Sequence, residues 1–182
     1  MVKLVVIDDS PAVLSDTPAL VRLRSTDDLE VEIFDSLPSD GDEVVERIAT
    51  AHTVINVRAS TRFDYEVLSR CGRLKHLAVW GPSIGHVDLE SAQRFGIAVT
   101  NTPGIATASV AEHALALLLA IAHRVRQLDY RIHQGEWPRG MITQLHGKTV
   151  GVIGAGRVGQ QMAEIARGIG MNVIAWTLHP EQ

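Results

Sequence analysis

TVGVIGAGRVGQQMAEIARGIGMNVIAW, from Thr149 to Trp176, reads as a strand, a glycine turn, a helix and a second strand. Gly154, Gly156 and Gly159 stand in GxGxxG register directly after the first strand, and Gly168 and Gly170 precede the second. Each of the three leading glycines has its own reason. Gly154 allows a tight turn, Gly156 lets a pyrophosphate approach the backbone, and Gly159 lets the helix pack close on the strand. Amides from Arg157 and Val158 onward then point at the phosphates, aided by the positive end of the helix dipole. Three glycines alone are a weak signal. Inside a complete βαβ unit they favour dinucleotide binding over a merely structural turn.

The second strand normally ends in a carboxylate that accepts hydrogen bonds from the adenosine ribose of NAD. Thr177 stands at that place. A hydroxyl can bond the ribose and does not repel a 2′-phosphate, so the residues leave NAD and NADP both open. His179, close by, reads as a solvated tail histidine.

Upstream, short β-branched runs at 3–7, 31–34, 53–57, 74–79 and 98–100 alternate with helical spacing at 41–51, 63–71 and 87–95. This is the rhythm of a parallel α/β sheet. Asp64 and Asp88 fall where carboxylates cap helix starts, and Gly72 and Gly96 where helices close. The turn Asn101-Thr102-Pro103-Gly104 reads as a hinge between two domains, 1–100 and 101–182. After it, residues 109–127 are apolar around most of the circumference, with Ser109 three before Glu112, the spacing of a capping box. A long buried helix is expected there, and 127–147 reads as a short helix and a surface loop.

Composition narrows the function classes. Of 182 residues, 46% are hydrophobic and 21% charged, with 17 basic against 21 acidic side chains and a net charge of −4. That excludes a disordered polyelectrolyte and gives no basic excess to hold nucleic acid. The longest apolar run, nine residues from Ala114 to Ala122, is far short of the ~20 that span a bilayer. The opening MVKLVVIDD lacks the longer apolar core of a secretion signal, so the chain reads as cytoplasmic. Its single cysteine, Cys71, reads as a small buried hydrophobe. Eight histidines without HxxxH spacing or clustered carboxylates point to no metal site.

Two other motifs fail on context. VVIDDSP places an acid pair, Asp8 and Asp9, after the first strand, as in phospho-acceptor receivers. The third strand carries no aspartate to be phosphorylated, and no lysine follows the fifth, so both acids read as loop and cap residues. Gly147-Lys148-Thr149 imitates the end of a P-loop, but residue 142 is Ile and the triplet precedes its strand.

From residue 53 to 177 the chain resembles the D-isomer-specific 2-hydroxyacid dehydrogenases. The resemblance is carried in order by VINVRAST, LKHLAVWGPSIGHVDLESAQRFGIAVTNTPG, SVAEHALALLLAIAHRV and LHGKTVGVIGAGRVGQQMAEIARGIGMNVIAW. It implies a flavodoxin-like parallel-sheet substrate domain followed by the first βαβ half of a Rossmann NAD(P)-binding domain, with a cleft between them. It also implies that the loop at Gly81, Ser83 and Ile84 offers amides to the carboxylate of a 2-hydroxy or 2-oxo acid. Arg58 and Arg62, on the loop after the third strand, read either as lining the same cleft or as solvated loop arginines. Pro82 departs from that pattern because it has no N–H to donate. The helix from Ser109 resembles the family's dimerisation segment, so a homodimer is expected. Glu112 and His113, adjacent on a helix, point about 100° apart and form no acid–base pair.

The resemblance places the catalytic arginine, its acidic partner and the general-acid histidine in motifs that no residue of 1–182 matches. The expectation is therefore a truncated member that binds but does not turn over. The alternative is a non-catalytic, dinucleotide-responsive interaction module.

Overall fold

The computed structural model describes residues 1–15 and 17–178, which form two compact units, Met1–Pro103 and a second from Gly104 onward. In the first unit β1 (Val2–Val6), β2 (Leu29–Ile33), β3 (Thr53–Asn56), β4 (His76–Val79) and β5 (Ala98–Asn101) form one parallel sheet. Its order, β2-β1-β3-β4-β5, is the flavodoxin-like arrangement. Between the strands run α1 (Pro18–Arg24), α2 (Gly41–Ile48), α3 (Tyr65–Ser69) and α4 (Leu89–Arg94).

Alternation along the strands builds two cores. Val5, Ile7, Val54, Leu77 and Val79 face Val44, Ile48, Val67, Leu68 and Leu74. Leu4 and Val6 point the other way, onto Leu14 and Leu20. Strands covered on both sides are near-continuously apolar, which is why β1 reads VKLVV rather than alternating with polar residues. Side-chain caps start the helices: Thr17 accepts from Leu20 N, Asp40 from Glu43 N, Asp64 from Val67 N and Asp88 from Ser91 N. The short helix α1 has no counterpart in the pattern read from sequence.

In the second unit β6 (Thr149–Ile153) and β7 (Asn172–Trp176) pair in parallel around α7 (Arg157–Gly168), with the boundaries the glycine pattern predicts. A small core of Leu145, Ala166 and Met171 takes in Leu118, Leu119 and Ala122 of α5 (Thr107–Ala122). The expectation of a single buried helix over 109–127 is corrected. The helix begins at Thr107 with Ala106 as its uncapped start, so Ser109 lies inside it and closes no capping box. It ends at His123, Arg124 turns left-handed at φ 56°, and α6 (Val125–His133) continues at 59° to α5. Within this chain only Ala111 of α5 is buried, because its apolar residues outnumber the one face that meets α7. Among the described residues, no single helix is long and apolar enough to cross a membrane.

Candidate functional site

The glycine turn carries its three residues in three different environments. Gly154 has φ +96°, a conformation that L side chains rarely adopt, and donates its N–H to Trp176 O at 2.8 Å. Gly159 lies against the turn: a β-carbon there would sit 2.0 Å from Gly154 O and 3.1 Å from Val152 Cγ1. Gly156 is the opposite case, with nothing within 4 Å of a β-carbon and an ordinary φ of −70°. The fold requires glycine at 154 and 159; at 156 the space is empty.

What faces that space is the start of α7. Gly156 is the N-cap, no side chain caps the helix, and its first turn holds no acidic residue. The first i→i−4 bond runs from Gln160 N to Gly156 O, so the amides of Arg157, Val158 and Gly159 lie ahead of the helical ladder. Gln160 Nε2 donates to Ala155 O at 2.9 Å and braces the turn. The arrangement fits a diphosphate, since it offers positive dipole, bare donors and room at once. The Arg157 guanidinium packs on Gly104, where a β-carbon would come within 2.5 Å of Nη1. Thr177 follows β7 directly and is half-buried. His179 lies outside the described residues.

In the first unit the carboxyl ends of β1, β3 and β4 carry the loops of interest. After β4, Gly81 O accepts from Thr102 N at 3.0 Å and Pro82 O from Asn101 Nδ2 at 2.9 Å. Ser83 is exposed and Ile84 half-buried, and among the described residues no acceptor takes either amide. After β3, Arg58 is clamped: Nε donates to Ser10 O at 2.8 Å and Nη2 to Pro11 O at 2.5 Å. Arg62 is exposed.

Sequence reasoning passed over the polar centre of this edge. Asp8 and Asp9 are fully buried. Asp9 binds the amides of Val13, Leu14 and Ser15, a loop-capping role of the kind expected for it. Asp8 does more. It accepts from Val57 N at 2.7 Å, Arg58 N at 3.2 Å, Asn56 Nδ2 at 2.6 Å and Thr61 Oγ1 at 2.6 Å. Asn56 in turn faces His86 Nε2 at 2.7 Å. Burial pushes the His86 imidazole below its ordinary pKa, with the nearby Asp8 charge opposing. The one hint was a polar Asn at the end of the strand TVIN, directly after Val54 and Ile55.

A flavodoxin-ordered sheet with amide-bearing loops at its carboxyl edge, followed in the chain by a strand–glycine turn–helix–strand unit, defines an α/β protein of the dinucleotide-binding type. Residues 5–177 match the family described as D-isomer specific 2-hydroxyacid dehydrogenase, catalytic domain, and the chain belongs to that family. It is 37% identical over 150 residues to a D-3-phosphoglycerate dehydrogenase of Archaeoglobus fulgidus, covering 81% of this chain and 28% of the relative. It is 36% identical over 154 residues to a glyoxylate reductase of Aeropyrum pernix, covering 80% of this chain and 46% of that one. Among solved structures it superposes on the acyclic imino acid reductase Bsp5, in complex with NADPH and D-Arg, with a TM-score of 0.78 and 28% identity. That match covers 99% of this chain and 57% of Bsp5. The chain thus spans from about a quarter to somewhat over half the length of these relatives.

Proposed function

We propose that the β6–α7 turn takes the pyrophosphate of NAD(H) or NADP(H) on the amides of Arg157, Val158 and Gly159, with Gly154 and Gly156 shaping the cradle and Thr177 at the adenosine ribose. The loop after β4 takes the carboxylate of a 2-hydroxy or 2-oxo acid on the amides of Ser83 and Ile84, with the Arg58 charge nearby. Pro82 leaves the contact to those two amides. In the whole protein these two elements serve a cytoplasmic D-2-hydroxyacid dehydrogenase, homodimeric through the exposed apolar face of α5. The nicotinamide, when bound, supplies or accepts a hydride. This chain's own residues bind and orient: those of the second unit hold a diphosphate and those of the first fix a carboxylate.

The observation that carries the reading is the open face at Gly156 beside an uncapped helix start. Calorimetric titration of the purified chain with NADH and with NADPH tests it. Binding of at least one is expected in the wild type and loss of that binding in Gly156→Val, whose side chain fills the cradle. Equal affinity in the variant would overturn it.

A further inference from the structure

Asn56 closes β3, is fully buried, and has every polar atom of its amide in use. Nδ2 donates to Asp8 Oδ2 at 2.6 Å and to Arg58 O at 2.9 Å. With both hydrogens committed to oxygen acceptors, Oδ1 is the atom that faces His86, and the imidazole must donate to it from Nε2. His86 Nδ1 then carries a bare lone pair, and it is buried with no partner. The ring therefore has one productive orientation, fixed by Asn56.

His86 is also the far post of the loop that carries Ser83 and Ile84. The near post is the pair of contacts from Asn101 and Thr102 to Pro82 and Gly81. At the far end His86 O accepts from Phe63 N at 2.9 Å, Val87 N reaches back to Ile84 O at 3.0 Å, and the His86 and Phe63 rings lie 6.3 Å apart. Between the posts, Gly85 gives the backbone freedom and no bond restrains Ser83 among the described residues. The loop after β3 hangs from the same amide and from Asp8: Arg58 O accepts from Asn56 Nδ2, and Arg58 N donates to Asp8.

We propose that Asn56 is a positioning residue for acid binding: through His86 it locks the loop bearing Ser83 and Ile84 to the loop bearing Arg58. The proposal rests on the 81–84 loop being the carboxylate site. Two backbone amides bind a carboxylate well only while their spacing and direction are held, and small misplacements cost much of the affinity. Without the Asn56 carbonyl, the buried Nε2–H loses its acceptor and the far post is released.

His86→Gln and His86→Leu in the full chain separate this from generic packing. Gln retains an N–H that can reach Asn56 Oδ1; Leu fills similar space and cannot donate. In His86→Leu, hydrogen exchange at the two bonded amides of the far post, Val87 N and Phe63 N, should quicken by about tenfold, the order expected for a lost buried hydrogen bond. In His86→Gln it should stay near the wild type. Affinity for D-glycerate or glyoxylate should fall in His86→Leu and recover in His86→Gln, while NADH or NADPH affinity at the β6–α7 turn is unchanged in both. Asn56→Ala should reproduce the His86→Leu pattern and add faster exchange over 57–61. Equal exchange in the Gln and Leu variants, or unaltered exchange at Val87 and Phe63 in Asn56→Ala, overturns the proposal. If the loops loosen as stated but the wild type binds neither acid, the carboxylate reading fails and the locking role of Asn56 stands on the exchange data.

Discussion

A methyl group added at Gly159 would sit 2.0 Å from the Gly154 carbonyl oxygen, and that oxygen belongs to backbone held by the Gly154–Trp176 bond. Neither side can yield without moving α7 off β6. Overpacking of this kind costs about 1–3 kcal/mol, and a backbone neighbour places Gly159→Ala at the upper end. Gly154→Ala meets no atom but must hold φ +96°, at a cost of about 1–3 kcal/mol. Gly156→Ala meets nothing and keeps φ −70°, so its effect should stay within about 0.5 kcal/mol. Gly156→Ser should match or exceed the wild type by a few tenths of a kcal/mol, because its hydroxyl can cap the bare amides of α7. The readout is amide exchange over β6 and the Ala163–Ala166 turn of α7, with urea unfolding alongside, since two units unfold in one chain. Dinucleotide affinity should rank differently, with Gly156→Ser weakened despite its intact fold, because the hydroxyl occupies donors the diphosphate needs. If Gly156→Ala destabilises as much as Gly159→Ala, or Gly159→Ala is neutral, the division between structural and ligand-facing glycines is wrong.

Asp8→Ala strands four donors, Val57 N, Arg58 N, Asn56 Nδ2 and Thr61 Oγ1, and should cost at least about 3 kcal/mol in urea unfolding. His86 titrates below its ordinary 6.5, mainly through burial and against the attraction of Asp8, so the unfolded chain binds more protons in that range. Stability is therefore full above about pH 6.5 and is lost as pH falls through the depressed folded value; His86→Gln should flatten that part of the pH–stability curve. Cys71 is buried and its thiol is pushed up to about 11, chiefly by desolvation, so a maleimide should label it at neutral pH only at the rate of unfolding.

The glycine turn was legible because its constraints are local. Residues 149–176 fix a strand, a turn and a helix by spacing alone, and β6, α7 and β7 fall where that spacing puts them. The parallel alternation upstream was legible as rhythm, but the order of strands was not, since apolar runs carry no label for their neighbours. It came from the family resemblance. The helix after the hinge misled for a physical reason. A segment apolar all round gives no signal of which face is covered or where it breaks, and the left-handed Arg124 has no glycine or proline to mark it. The seven-residue α1, burying only Leu20, has too little periodicity to stand out. Least visible was the Asp8–Asn56–His86 chain, whose partners lie 48 and 30 residues apart and meet only once β1 and β3 are paired.

The candidate site of each unit follows one design, and it explains why side-chain motifs describe them poorly. Each sits at the carboxyl end of parallel strands, and each presents main-chain N–H groups, Ser83 and Ile84 in one unit and Arg157 to Gly159 in the other. A main-chain donor is supplied by any residue except proline, so identity is constrained only where a side chain would obstruct, as at Gly156, or where the donor is missing, as at Pro82. Under the proposed carboxylate reading, selectivity among acids comes from what flanks the donors. Ser83 offers a hydroxyl and Ile84 an apolar surface, and Arg58 is kept in place by two carbonyls rather than by an acid, so its charge is not neutralised by an ion pair among the described residues. On the proposed reading, an acid held on the Ser83 and Ile84 amides that also reaches the unneutralised Arg58 charge binds tighter when doubly anionic than when singly charged at the same length. Titration of the chain with D-3-phosphoglycerate against D-glycerate should show the phosphorylated acid binding tighter, and Arg58→Gln should narrow the gap.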